Sequence, residues 1–138
     1  MSRYILDACA LIALLRNESG ADKVAAALNA ANNGKAKIII NKVNLLEVFY
    51  DLYRSLGKDK ADIIISEIKR RPIEIIAEIT DEVFNEAGRL KASYKISLAD
   101  SIALAQAITL DGELLTADHH EFDPIEDHEP VRFNWIRC

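Results

Sequence analysis

Short apolar runs, each long enough for a strand and little more, alternate along this chain with segments of helical periodicity. The strand-like runs fall at residues 4–6, 37–40, 74–79 and 113–116, with a weaker one at 131–135. Between them, residues 8–15 and 21–31 are rich in Ala and Leu. Residues 45–56 carry Leu45, Leu46, Phe49, Leu52, Tyr53 and Leu56 at helical spacing, and residues 61–70 carry Ile64, Ile65 and Ile68 in the same way. Residues 81–94 and 98–110 complete the helical set. Gly57, Pro72 and the Asp111-Gly112 pair punctuate these segments, and no linker or repeat is visible. Strands that alternate with helices imply a mostly parallel sheet covered on both faces. The expectation is one α/β domain over residues 1–138, with three α/β/α layers.

With 138 residues, half of them hydrophobic, the chain is large enough to bury a core without a disulfide or structural metal. Cys9 and Cys138 make neither a metal-ligand spacing nor a disulfide framework, so both are read as free thiols of a reducing, cytoplasmic compartment. The N-terminal stretch is apolar after Arg3, but Asp7 stands where a secretory signal would be uninterrupted. No apolar run reaches the roughly 20 residues of a membrane span. The net charge of −5 argues against a nucleic-acid partner if taken alone. Its distribution is more telling. Arg54, Lys58, Lys60, Lys69, Arg70 and Arg71 crowd one stretch, whereas residues 111–130 hold acidic side chains and no Lys or Arg. A basic docking face beside an acidic metal site fits this segregation, as does a solvated charge run.

Four carboxylates occupy equivalent places in this pattern. Asp7 follows the first strand and Asp118 the fourth. Glu47 lies near the start of the third helix, in Asn44-Leu45-Leu46-Glu47, and Asp100 near the start of the last long helix, in Ser97-Leu98-Ala99-Asp100. In a parallel sheet the carboxyl ends of strands and the amino ends of the following helices share one edge, where ligands bind. Carboxylates that converge there repel one another unless a cation sits among them. An oxygen-rich, thiolate-free set suits Mg²⁺, with Mn²⁺ as a substitute. Such an ion keeps waters and leaves positions for a phosphate and an attacking water.

Each feature also has a plainer reading. Asn44 with Glu47, and Ser97 with Asp100, have the form of capping boxes. Asp7 alone could be a loop residue or the first carboxylate of an aspartate-based phosphotransferase, and Asp118 a turn former. Their joint placement favours a site. His119 and His120 lack the spacing of a zinc site and are read as exposed. Thr116 and Asn44 are weaker candidates for residues that support the carboxylates, and Ser101 is weaker still.

The stretch Tyr-Ile-Leu-Asp-Ala-Cys-Ala-Leu-Ile-Ala-Leu-Leu from Tyr4, the Asn44–Glu47 segment, Leu-Ala-Asp-Ser-Ile-Ala-Leu-Ala-Gln-Ala from Leu98 and Leu-Leu-Thr-Ala-Asp-His-His-Glu-Phe from Leu114 together resemble the PIN domain, especially VapC-type toxins. The resemblance spans almost the whole chain. It implies a parallel five-stranded sheet flanked by helices and metal-dependent cleavage of RNA. It also implies that Asp7 and Asp100 ligate the main metal, with Glu47 and Asp118 completing the cluster or holding a second ion. The expected reaction is in-line attack of a metal-activated water on an RNA phosphodiester, with two ions roughly 4 Å apart if both bind. A cognate antitoxin that occludes the site, often through an Arg or Lys, and a homodimer are implied as well.

The rivals fit less well. A receiver-like signalling domain lacks the adjacent acidic pair of the first strand, because Leu6 precedes Asp7. A haloacid-dehalogenase-like phosphatase would need its second aspartate where Cys9 stands. A PIN fold kept only for binding is the third alternative, and none of the four acidic positions is lost.

Overall fold

The computed structural model describes residues Met1–Cys138. Its five strands, β1 (Ser2–Leu6), β2 (Ala36–Asn41), β3 (Glu74–Ile76), β4 (Glu113–Thr116) and β5 (Arg132–Trp135), form one sheet of order β3-β2-β1-β4-β5. Every neighbouring pair is parallel. Seven helices connect or follow them: α1 (Ala8–Leu15), α2 (Ala21–Asn32), α3 (Lys42–Leu56), α4 (Lys58–Lys69), α5 (Asp81–Ser93), α6 (Leu98–Thr109) and the single-turn α7 (His119–Phe122). The alternation in sequence thus becomes the expected three-layer α/β/α fold. The strand order also excludes a receiver-like domain, in which β1 lies between β2 and β3. Here β1 lies between β2 and β4.

Successive strand side chains point to opposite faces, so a strand buried on both sides must be apolar throughout. Leu6, Ile38, Ile40 and Leu115 join a core with residues of α1, α2, α3 and α4. Ile5, Ile39 and Leu114 join a second core with α5, α6, Phe122 and Ile125. Ile5 and Leu6 are both fully buried, each contributing about 1.5–3 kcal/mol relative to exposure. At the end of α1 the chain turns through Gly20, whose φ of 96° lies in the left-handed region. A Cβ there would stand 2.5 Å from the carbonyl oxygen of Ile136, so only glycine lets α2 start against the segment that follows β5.

Several elements differ from the sequence reading; α4, for example, begins at Lys58 rather than residue 61. The third strand stops at Ile76 rather than residue 79, because its only partner, β2, ends at Asn41, opposite Ile76. The third helix begins at Lys42, three residues before residue 45: Asn41 leaves the strand and its Oδ1 accepts from the Val43 amide at 2.9 Å, forming the cap. The helix α7 carries no periodicity long enough to read. It is a single turn capped by Asp118.

Candidate active site

Register along the sheet sets the first half of the site. Leu6 pairs with Ile40 on one side and Leu115 on the other, so one step further Asp7 lies beside Thr116 at the carboxyl ends of adjacent strands. Asp7 is 1% exposed. Its Oδ1 accepts from the Ala10 amide at 2.9 Å, which caps α1, and its Oδ2 accepts from the Thr116 hydroxyl. The Thr116 Oγ1 in turn accepts from the Asp118 amide at 3.0 Å. Asp118 then uses Oδ1 to accept from the Glu121 amide at 3.2 Å. One buried hydroxyl therefore ties the end of β1 to the turn that carries Asp118.

The second half comes from helix starts. Ser97 caps α6 by accepting from the Asp100 amide at 3.1 Å, leaving the 9%-exposed Asp100 carboxylate in the first turn. This is one arm of the expected capping box; no bond returns from the Asp100 carboxylate to the Ser97 amide. The other expected box, Asn44 with Glu47, does not form, since Asn41 is the cap and Glu47 falls in the second turn of α3. Asn44 is instead buried, donating Nδ2 to the Ala99 carbonyl at 3.0 Å and so fastening α3 to the start of α6 beside Asp100. Its Oδ1 is the one buried side-chain polar atom without a partner.

Burial pushes the Asp7 carboxyl up to about 7. The bonds from Thr116 and Ala10 pull it down, and the charges of Asp118 and Glu47 push it up further. Asp100 is pushed to about 8, first by burial and then by the charges of Asp7 and Asp118, against a lowering by Ser97. Burial and then Asp118 also raise Glu47. The four acidic groups proposed from sequence thus lie within electrostatic reach of one another, with no basic side chain among the causes of these shifts. Such a set is unfavourable by itself and is relieved by a proton or a cation. Its donors are all oxygen, which matches a hard divalent ion, and Asn44, whose Oδ1 is orphaned, is bonded to the residue before Asp100. The closure is incomplete: no group of three or more His, Cys, Asp or Glu side chains is arranged to hold a metal ion. The donor chemistry fits; the convergence read from sequence is looser than expected.

Cys9, in the first turn of α1, is raised to about 11 by burial and by Asp7, and neither it nor Cys138 is in a disulfide. Ser101 is fully buried and donates to the Leu98 carbonyl at 2.6 Å, a bond internal to α6. His120 is exposed as expected. His119 is not. Its Nδ1 lies 2.7 Å from Asp123 Oδ1 and its Nε2 2.9 Å from the Arg137 carbonyl, and its ring stacks on Trp135 at 3.8 Å with 12° between planes. Sequence reasoning also missed a buried link from Asn41 Nδ2 to Gln106 Oε1 at 3.2 Å, which joins β2 to α6. The only signal for it was a glutamine amid the Ala and Leu of α6. The basic residues from Arg54 to Arg71 are all exposed, at the end of α3 and the two ends of α4.

By sequence, no curated protein matches the chain. Among solved structures, the chain is similar to VapBC2 from Rickettsia felis bound to a DNA fragment from its promoter, with TM-score 0.75 and 19% identity over 96% of this chain and 98% of that one. It is also similar to DNA-bound VapBC from Salmonella typhimurium, with TM-score 0.73 and 14% identity over the full length of both chains. A third similar structure is VapC20 from Mycobacterium tuberculosis, a sarcin-ricin loop cleaving toxin, with TM-score 0.63 and 13% identity over 88% and 95%. At these identities the likeness is one of fold. The sequence profile of the PIN domain matches residues 4–126, which take in all four acidic residues, most of β1 and the whole of β2, β3 and β4. The chain belongs to the PIN domain family.

Proposed function

We propose that this protein is an endoribonuclease that hydrolyses RNA phosphodiester bonds with a divalent metal ion, Mg²⁺ or in its place Mn²⁺, and that it is the toxin of a toxin–antitoxin pair. One observation carries the catalytic reading. Two buried carboxyls from different elements, Asp7 and Asp100, are pushed to about 7 and 8 by burial and by neighbouring acidic charge at the carboxyl edge of a parallel sheet. A cation would relieve that repulsion. Asp7 and Asp100 would hold the ion, with Glu47 and Asp118 completing the set. The chemistry such an ion would supply when bound is charge neutralisation at the phosphodiester and a lower pKa for an attacking water.

The chain's own residues supply orientation. Thr116 and the Ala10 amide fix both oxygens of Asp7. Asp118 is held by its amide to the same hydroxyl. Asn44 keeps the start of α6, and with it Asp100, against α3. No side-chain nucleophile is required. The toxin reading rests on the family and on the fold shared with VapBC proteins. A cognate antitoxin, a homodimer and a cytoplasmic setting belong to the same proposal. No helix is long and apolar enough to cross a membrane.

The test is cleavage of total cellular RNA by purified protein with Mg²⁺ or Mn²⁺, with EDTA, and with Asp7→Asn in parallel. Metal-dependent cleavage that disappears in the variant is expected. Equal behaviour of both proteins, with nothing cut in any RNA pool, would instead leave a PIN fold used for binding, the reading that the loose carboxylate geometry favours.

A further inference from the structure

Four aromatic rings run outward from the core beside Asp118. Phe122, fully buried, packs on Phe133 at 5.5 Å; Phe133 stacks on Trp135 at 5.4 Å and 11°; Trp135 stacks on His119 at 3.8 Å and 12°. The last two rings are also fixed in their own planes. The Trp135 indole N–H donates to Glu126 at 2.8 Å. His119 has a hydrogen-bond partner at each ring nitrogen, Asp123 and the Arg137 carbonyl. Both His119 nitrogens are engaged and one face is stacked on Trp135, while the side chain as a whole keeps 32% exposure. The stack therefore ends in a flat, oriented, part-exposed ring on the residue that directly follows Asp118.

Resting on the ribonuclease reading, we propose that His119 is the outer platform of a base-stacking subsite, on which one unpaired base of the RNA substrate continues the Phe133–Trp135–His119 ladder. Single-stranded RNA is gripped by aromatic faces because every base has one, and the gain requires no hydrogen-bond readout. Asp123 and Glu126 hold the edges of the ladder, and Lys23 donates to the Trp135 carbonyl, so the rim carries charge of both signs and it is the flat face of His119 that suits an uncharged base. Holding a base there would set the register of the chain relative to Asp118. A purine, with its larger face, stacks better than a pyrimidine.

The experiment measures binding of a single-stranded oligoadenylate octamer, an oligouridylate octamer and a base-free ribose-phosphate octamer. The full chain carries Asp7→Asn to prevent cleavage and is compared with the same protein bearing His119→Ala or His119→Phe. Trp135, the only tryptophan, lies under His119 and serves as a fluorescence reporter beside the subsite. The platform predicts roughly tenfold weaker binding of oligoadenylate on His119→Ala. It also predicts a smaller loss for oligouridylate, none for the base-free chain, and near-full recovery with His119→Phe. A residue that only braces the fold would weaken all three ligands equally, or none, and either pattern overturns the proposal while leaving the nuclease reading intact. If the parent protein binds neither these octamers nor a random-sequence RNA pool, the nuclease reading falls and takes this subsite with it.

Discussion

Replacing Asp7 by asparagine should make the metal-free protein more stable at pH 8 while abolishing its activity. The carboxyl titrates at about 7 in the fold against an ordinary value of 3.8. Below pH 3.8 it is protonated in both states and contributes nothing. Between 3.8 and about 7 the unfolded chain ionises while the folded one does not, so stability falls as pH rises. Above about 7 the loss is complete, and at 1.36 kcal/mol per pKa unit it amounts to about 4 kcal/mol. For 138 residues, unfolding entropy makes one degree of Tm worth about 0.3 kcal/mol, so the full term is about 14 °C. Asparagine recovers only part of it. Its Oδ1 can still accept from Ala10, but its Nδ2 must donate to a Thr116 oxygen that already accepts from Asp118. A gain of roughly half, about 7 °C, is expected in EDTA at pH 8.

Thermal unfolding of both proteins across pH 4 to 9 decides the matter. The difference in Tm should be small or reversed at pH 4, widen through pH 5 to 7 and level off above. Removing the Asp7 charge also relieves Asp100, which Asp7 helps to raise, and this adds to the gain at the alkaline end. Millimolar Mg²⁺ should raise the Tm of the native protein at pH 8 and narrow the difference, because a ligand bound only by the folded state stabilises it. A difference that does not vary with pH, or a variant less stable than the native protein at pH 8 without metal, would refute the idea that Asp7 is a desolvated, strained carboxylate.

Thr116→Val preserves shape but removes the hydroxyl that serves both Asp7 and Asp118; RNA cleavage should fall about 10–100-fold with a higher metal requirement, followed by Mg²⁺ titration of the rate. Gly20→Ala puts a methyl 2.5 Å from the Ile136 carbonyl oxygen at a φ of 96° and should destabilise by more than about 1 kcal/mol in urea unfolding; an unchanged midpoint would show that the end of β5 moves freely. Cys9, raised to about 11 by burial and by Asp7, should resist a thiol reagent at pH 7.5 while the exposed Cys138 reacts, giving one fast thiol per folded chain and two in denaturant.

The sequence carried the elements and the identity of the acidic residues further than it carried the way they are held. Strand periodicity was legible because both faces of β1, β2 and β4 are covered, so Ile5 and Leu6 or Ile39 and Ile40 must all be apolar although they enter different cores. Helix starts were legible only to within a turn. Asn41 and Asn44 are the same residue type three positions apart, either could cap, and the cap falls on Asn41, the last residue of β2, paired with Ile76 of β3. Sequence spacing cannot contain that pairing, which joins residues 35 positions apart. The consequence reaches the site. With Asn41 as the cap, Asn44 is released from the helix end to hold Ala99, and Glu47 moves back to the second turn.

The same dependence on pairing governs the acidic cluster. Asp7 and Thr116 meet because parallel register sets Leu6 against Leu115, and the switch from β2 to β4 at β1 brings two chain segments more than 100 residues apart to one edge. Once there, neither Asp7 nor Asp100 can ionise at its ordinary pKa, since burial dominates both and each feels the charge of Asp118. A fold selected for stability alone would place Asn or Ser at position 7, where the Ala10 amide could be capped without a desolvated charge, and would need no charge at position 100, since Ser97 already caps that amide. Aspartates at both positions, in a chain with ample apolar core, are the physical argument behind the proposed cation site, and the pH dependence of Asp7→Asn measures the stability forgone to keep the first of them.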